Sequence, residues 1–91
     1  MYCIYQIENI VNHKKYIGIT KRSPEIRFNE HLNNKKEILY KVKEKYGKAN
    51  LILTIIEKNI SLEDIDKKER YYIEYYNTLV PNGYNLSKGG L

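Results

Sequence analysis

Glu69 stands where a helix wants an apolar side chain. Between Ser61 and Tyr76 the apolar positions Leu62, Ile65, Tyr72, Ile73 and Tyr76 follow the i, i+3, i+4, i+7 spacing of one helix face, and the missing member of that stripe is residue 69. Acids on the opposite face (Glu63, Asp66, Glu74) cost little. A carboxylate drawn out of water needs an arginine, hydrogen bonds or a metal ion. Glu69 is therefore either a satisfied core acid or a working one, and its neighbours decide. Arg27 and His31 lie four residues apart, so on a helix they share one face, one turn from each other. These groups act together only if the fold gathers them.

The elements that must do so are legible in outline. Tyr2 to Glu8 alternates loosely and is rich in Tyr and Ile, which predicts a strand. Asn12 to Lys15 is a polar turn, and Lys15 to Thr20 returns as the second strand of a hairpin. Tyr5 and Tyr16 share a sheet face only if paired residue numbers sum to an odd value, and that register is predicted. Ser23-Pro24-Glu25 starts a helix running to about Asn33, with Ser as N-cap and Pro at the first position. Phe28 and Leu32 form its apolar edge. A second helix is predicted from about Lys36 to Tyr46, with Leu39, Val42 and Tyr46 inward and Gly47 as its C-terminal cap. Leu51 to Glu57 reads as a buried strand. Ser61-Leu62-Glu63-Asp64 resembles a capping box ahead of the last helix, which continues to about Tyr76. Pro81-Asn82-Gly83 is a turn, and Tyr84-Asn85 opens a short final segment. The order β-β-α-α-β-α is α+β: a small, three-stranded, mostly antiparallel sheet flanked by helices. With no repeat, low-complexity run or linker, residues 1–91 read as a single domain.

Ninety-one residues support one core, burying roughly 60–65% of the unfolded surface. One cysteine, Cys3, excludes an internal disulfide, and two histidines give no zinc-site spacing. No segment predicts a signal peptide or a membrane span, so an intracellular setting is expected. The net charge of +5 is uneven: residues 1–48 carry +6 and residues 49–91 carry −1. The basic half suits a polyanion, nucleic acid first, or else is a solubilising lysine surface. The ten tyrosines are partly structural in any reading.

In chain order the sequence presents Cys3-Ile4-Tyr5, Tyr16-Ile17-Gly18, Arg27 with His31, Glu69 ahead of Tyr72-Ile73, and Gly83-Tyr84-Asn85. Each piece alone is weak. The ordered set resembles the GIY-YIG nuclease family across essentially the whole chain. The Gly-Tyr-Asn ending and the glycine pair Gly89-Gly90 look most like the homing-endonuclease branch. One departure is visible, Cys3 where the family name has glycine; the tyrosine is kept.

The resemblance implies a metal-dependent DNA endonuclease giving 5′-phosphate and 3′-hydroxyl ends. In that reading Glu69 supplies an oxygen ligand to one divalent cation, Mg²⁺ or Mn²⁺, which keeps several waters and takes phosphate oxygens. Arg27 offers a forked, always-charged donor to the scissile phosphate, and losing such a donor costs about 10²–10³-fold in rate. One of Tyr5 and Tyr16 orients or deprotonates the attacking water, with Tyr5 favoured as the base-side residue and Tyr16 as a phosphate or water contact. A phenol is a poor base at neutral pH and needs a cation or His31 as proton relay. Asn85 braces the site or helps place the phosphate, and Lys14, Lys15, Lys21 and Arg22 are candidate backbone contacts. Each of these residues also has a plain structural alternative: core tyrosine, a surface ion pair of Arg27 with Glu30 or Glu25, turn asparagine. No element for reading bases is evident, and sparse phosphate contact gives non-specific Kd values on the order of 10⁻⁴–10⁻⁶ M. A separate DNA-binding domain or partner would supply specificity. The alternatives are a catalytically silent nucleic-acid-binding module and a repair or structure-specific nuclease on the same scaffold.

Overall fold

The computed structural model describes residues 1–89. Three strands and three helices follow in the predicted order: β1 (Tyr2–Asn9), β2 (Lys15–Thr20), α1 (Pro24–Asn33), α2 (Ile38–Tyr46), β3 (Leu51–Ile60) and α3 (Leu62–Tyr75). The sheet order is β2-β1-β3, and both pairings are antiparallel. In the hairpin Cys3 pairs with Thr20, Ile4 with Ile19 and Tyr5 with Gly18, which is the odd-sum register. Tyr5 and Tyr16 therefore project from the same face. The turn is held by its asparagines: Asn9 Oδ1 accepts from Val11 N and Asn12 Oδ1 from Lys14 N.

Each sheet face is covered by different helices. On one, Tyr5, Ile7 and Leu51 pack under Leu32 of α1, Leu39 and Val42 of α2, and Tyr84. On the other, Ile4, Ile17 and Ile60 pack under Ile65 and Ile73 of α3. Burying each such side chain contributes about 1.5–3 kcal/mol.

Several expectations need correction. Helix α2 begins at Ile38, not near Lys36, because Asn34 accepts from the backbone of both Lys36 and Glu37 and winds residues 34–37 into a turn first. Strand β3 runs past Glu57 to Ile60, where it re-pairs with Tyr2 across a register shift. Leu62 is exposed rather than part of the α3 stripe; it is the first residue of the helix. The serines ahead of α1 and α3 make no side-chain cap; Ser23 Oγ donates to Glu25 and Ser61 Oγ to Asp64. Gly47 ends α2 as expected, at φ 88° with its N–H on Lys43 O.

Candidate active site

The YIG glycine has a steric reason. A Cβ at Gly18 would stand 2.3 Å from Tyr5 Cζ, so only glycine lets the Tyr5 ring lie flat across β2. Tyr5 is 1% exposed. Its ring centroid is 6.3 Å from that of Tyr16 and 6.1 Å from that of His31, and Tyr16 meets His31 edge-on at 5.0 Å. Helix α1 thus delivers His31 onto the two hairpin phenols. Leu32 beside it anchors the helix in the core.

His31 is fully buried and doubly bonded. Tyr5 Oη lies 2.8 Å from its Nε2, and Glu37 Oε1 lies 2.6 Å from its Nδ1. A carboxylate only accepts, so Nδ1 carries the ring hydrogen and the neutral ring's Nε2 accepts the Tyr5 hydroxyl. Burial holds the imidazole pKa below its ordinary value; the Glu37 bond pulls it upward, and the Arg27 guanidinium lowers it further. Burial keeps the Tyr5 phenol protonated far above its ordinary pKa, with Tyr16 adding to the rise and Arg27 opposing it. Tyr16 is raised too, first by burial; Arg27 pulls it back, Glu37 and Glu69 push it up, and a hydrogen bond with Tyr5 eases it down.

Glu37 is the residue the sequence did not disclose. It precedes α2, where neither helix periodicity nor family spacing marks it. Its second oxygen lies 3.9 Å from Arg27 Nη1, and Arg27 also meets Glu30 at 3.4 Å. Arg27 is 32% exposed and rests between these two acids.

Glu69 follows the stripe Ile65, Glu69, Ile73 and is 8% exposed. Although α3 covers the opposite sheet face, β2 is the edge strand and Glu69 reaches past it. One cavity of about 280 Å³ is lined by Glu69 together with Tyr16, Lys36, Glu37, Tyr84 and Asn85. Arg27 borders the adjoining cleft, which shares Glu37. The backbone at Gly89 passes so close that a Cβ there would stand 3.0 Å from Glu69 Oε1; Gly90 lies outside the described residues.

The Gly-Tyr-Asn segment forms a latch. A Cβ at Gly83 would come within 2.4 Å of Thr78 O and 2.7 Å of Lys15 O. Tyr84 N donates to Lys15 O, and its hydroxyl takes hydrogen bonds from Asn9 and Asn12. Asn85 Oδ1 accepts from Ile17 N and Thr78 Oγ1, while its Nδ2 donates to Ile17 O. Its side chain borders the cavity as a brace with its polar atoms engaged.

Lys21 and Arg22 are not brought to this cavity. They line a separate cleft with Tyr2, Cys3 and Lys58, and Arg22 is held by both carboxylate oxygens of Glu30. Lys15 lies over the Tyr76 ring. Among the described residues no group of three or more His, Cys, Asp or Glu side chains converges as a metal cluster. Glu69 is an oxygen donor on an open cavity, a donor set that suits a hard cation otherwise ligated by water and phosphate.

Hairpin triplets, Arg27 with His31, and Glu69 at a cavity define the class. The chain belongs to the GIY-YIG family: the GIY-YIG catalytic domain matches residues 1–85. It is a DNA endonuclease by class. A solved structure of the catalytic domain of the intron endonuclease I-TevI, in a glutamate-to-alanine mutant, superposes with a TM-score of 0.82 at 27% identity, covering 100% of this chain and 99% of that one. A second structure, of the catalytic domain of the homing endonuclease I-TevI, superposes with a TM-score of 0.77 at 25% identity over 96% of this chain and 99% of that one. Among curated protein sequences there is no match. No helix of the described residues is long and apolar enough to cross a membrane.

Proposed function

We propose that residues 1–91 form one catalytic unit that hydrolyses DNA phosphodiester bonds with a single divalent cation, Mg²⁺ or Mn²⁺, held through Glu69. The observation that carries this reading is one open cavity bordered by Glu69, Tyr16 and Asn85, backed by the buried Tyr5–His31 pair and flanked by Arg27. When bound, the cation supplies charge neutralisation at the phosphate and the leaving oxygen.

The protein's own groups do the rest. Arg27, leaving its two acidic partners, presents a forked donor to a phosphate oxygen and stabilises charge that grows in the transition state. Tyr16 borders the cavity and Tyr5 does not, which supports the opposite assignment to the one favoured above. Tyr16 contacts the attacking water, and Tyr5 passes its proton inward to His31. Asn85 keeps β2, and hence Tyr16, in place.

The charge layout supports DNA lying on the α2 side. Lys41 and Lys45 are exposed one turn apart on α2, Lys48 is exposed just beyond the end of that helix, and Lys36 lines the cavity itself. Among the described residues no carboxylate pairs with these four lysines, whereas Lys68 and Arg70 of α3 are paired with Glu57 and Asp66. Lys21 and Arg22 remain proposed flanking contacts, with Arg22 partly neutralised by Glu30. Specificity for a target would come from a further domain or partner, as in the homing branch.

Nicking of supercoiled plasmid by wild type and by Glu69→Ala, with and without Mg²⁺, tests the reading. Metal-dependent nicking that Glu69→Ala abolishes supports it. Binding without cutting by either protein sinks it in favour of a silent binding module.

A further inference from the structure

We propose that Glu37 is a positioning residue: its carboxylate fixes His31 in the tautomer whose Nε2 lone pair takes the Tyr5 hydroxyl proton. The inference rests on the nuclease reading above for its kinetic consequence, but its structural half stands on contacts alone. The 2.6 Å bond to Nδ1 and the 2.8 Å contact at Nε2 put a carboxylate, an imidazole and a phenol in one buried line. Without the carboxylate, the ring hydrogen could sit on Nε2, where it would point at the Tyr5 hydroxyl and block proton acceptance. With it, a proton leaving Tyr5 Oη converts His31 to an imidazolium whose Nδ1–H is already bonded to a negative charge. The proton shed by the cavity water, by way of Tyr16 whose ring neighbours that of Tyr5, then refills Tyr5 Oη. The net change is one proton moved from the cavity water to His31, and the site gains the hydroxide that attacks phosphorus.

The position of Glu37 is itself over-determined. Its backbone N–H is bonded to Asn34 O, and its other oxygen faces Arg27. The groups facing His31 are Tyr5 from β1, Tyr16 from β2, Arg27 and Glu30 from α1, and Glu37 from the turn before α2. Of these only Glu37 is bonded to Nδ1.

The test combines ring-nitrogen NMR of His31 with the pH dependence of plasmid nicking in wild type, Glu37→Gln, Glu37→Asp, His31→Gln and the His31→Gln/Glu37→Gln double variant. Wild type should show hydrogen on Nδ1 and a free lone pair on Nε2. Glu37→Gln should mix the tautomers, lower kcat on the order of 10²-fold with KM little changed, and move the acid limb of the profile to lower pH. Glu37→Asp should recover part of the rate. Adding Glu37→Gln to His31→Gln should cost nothing more, since the carboxylate acts through the ring. An unchanged tautomer in a folded Glu37→Gln, or a further loss in the double variant, overturns the proposal. If wild type itself does not cut, the nuclease reading fails, and the NMR result alone decides the role of Glu37.

Discussion

On the α3 side of the sheet the fully buried hydrophobic side chains are all isoleucine: Ile4, Ile17, Ile60, Ile65 and Ile73. On the α1–α2 side, Tyr5, Asn9, His31 and Tyr84 are as well buried, and each carries side-chain hydrogen bonds. The same three strands supply both faces. An isoleucine stack gains from removing area from water and is indifferent to where a proton lies. A buried phenol or imidazole is tolerable only in one orientation with its partner present, so the wet face trades packing freedom for fixed geometry. The molecule separates what keeps it folded from what reacts, and Glu69 is the point at which the dry side's helix reaches over to the reactive side.

Substitutions that act on one face only can break this contrast. The largest effect is expected from Ile65→Ala, which should cost about 2–5 kcal/mol in chemical denaturation while cleavage per folded molecule persists; a loss of activity at intact stability would show that the dry face also tunes chemistry. Arg27→Ala should do the reverse. The nicking rate should fall about 10²–10³-fold with the thermal midpoint nearly unchanged, because its ion pairs are partly exposed. Gly18→Ala should do both, since its methyl group must displace either β2 or the Tyr5 ring: about 1–3 kcal/mol of stability together with a slower rate.

A smaller effect concerns pH. The His31 pKa is lowered in the fold, so below about 6.5 the unfolded chain binds a proton that the folded one refuses. Stability should therefore fall as pH drops through and below that value, and His31→Gln should flatten the slope in that window, as read by denaturation at stepped pH. The smallest change is expected from Leu62→Lys, within about 0.5 kcal/mol, because the side chain is 62% exposed. A larger loss would mean that the stripe does begin at Leu62.

How far the sequence carried can be judged from particular residues. The hairpin register followed from requiring Tyr5 and Tyr16 to share a face, because strand parity is binary. The misfit acid at 69 was visible because helix periodicity makes a gap conspicuous. Gly47 as a cap was legible from local backbone preference alone. Glu37 was not, because its importance arises from a turn that carries it back over α1, a contact that no one-dimensional spacing encodes. The separation of Lys21 and Arg22 from the cavity was hidden for a related reason: they follow β2 in sequence, but Tyr16 lies near the start of that strand and they lie beyond its end. The engagement of Asn85 with Ile17 joins residues far apart along the chain, and only folding reveals it.

That last contact changes what the rim of the sheet offers to other molecules. β2 is an outermost strand, and such strands invite pairing with another chain. The amide of Asn85 takes both the N–H and the C=O of Ile17, and the Tyr84 backbone takes the C=O of Lys15, so the latch stands in for a fourth strand. A neighbouring copy finds those backbone groups already occupied, and the same residues that hold the reactive cavity together also guard the protein against self-association through that border.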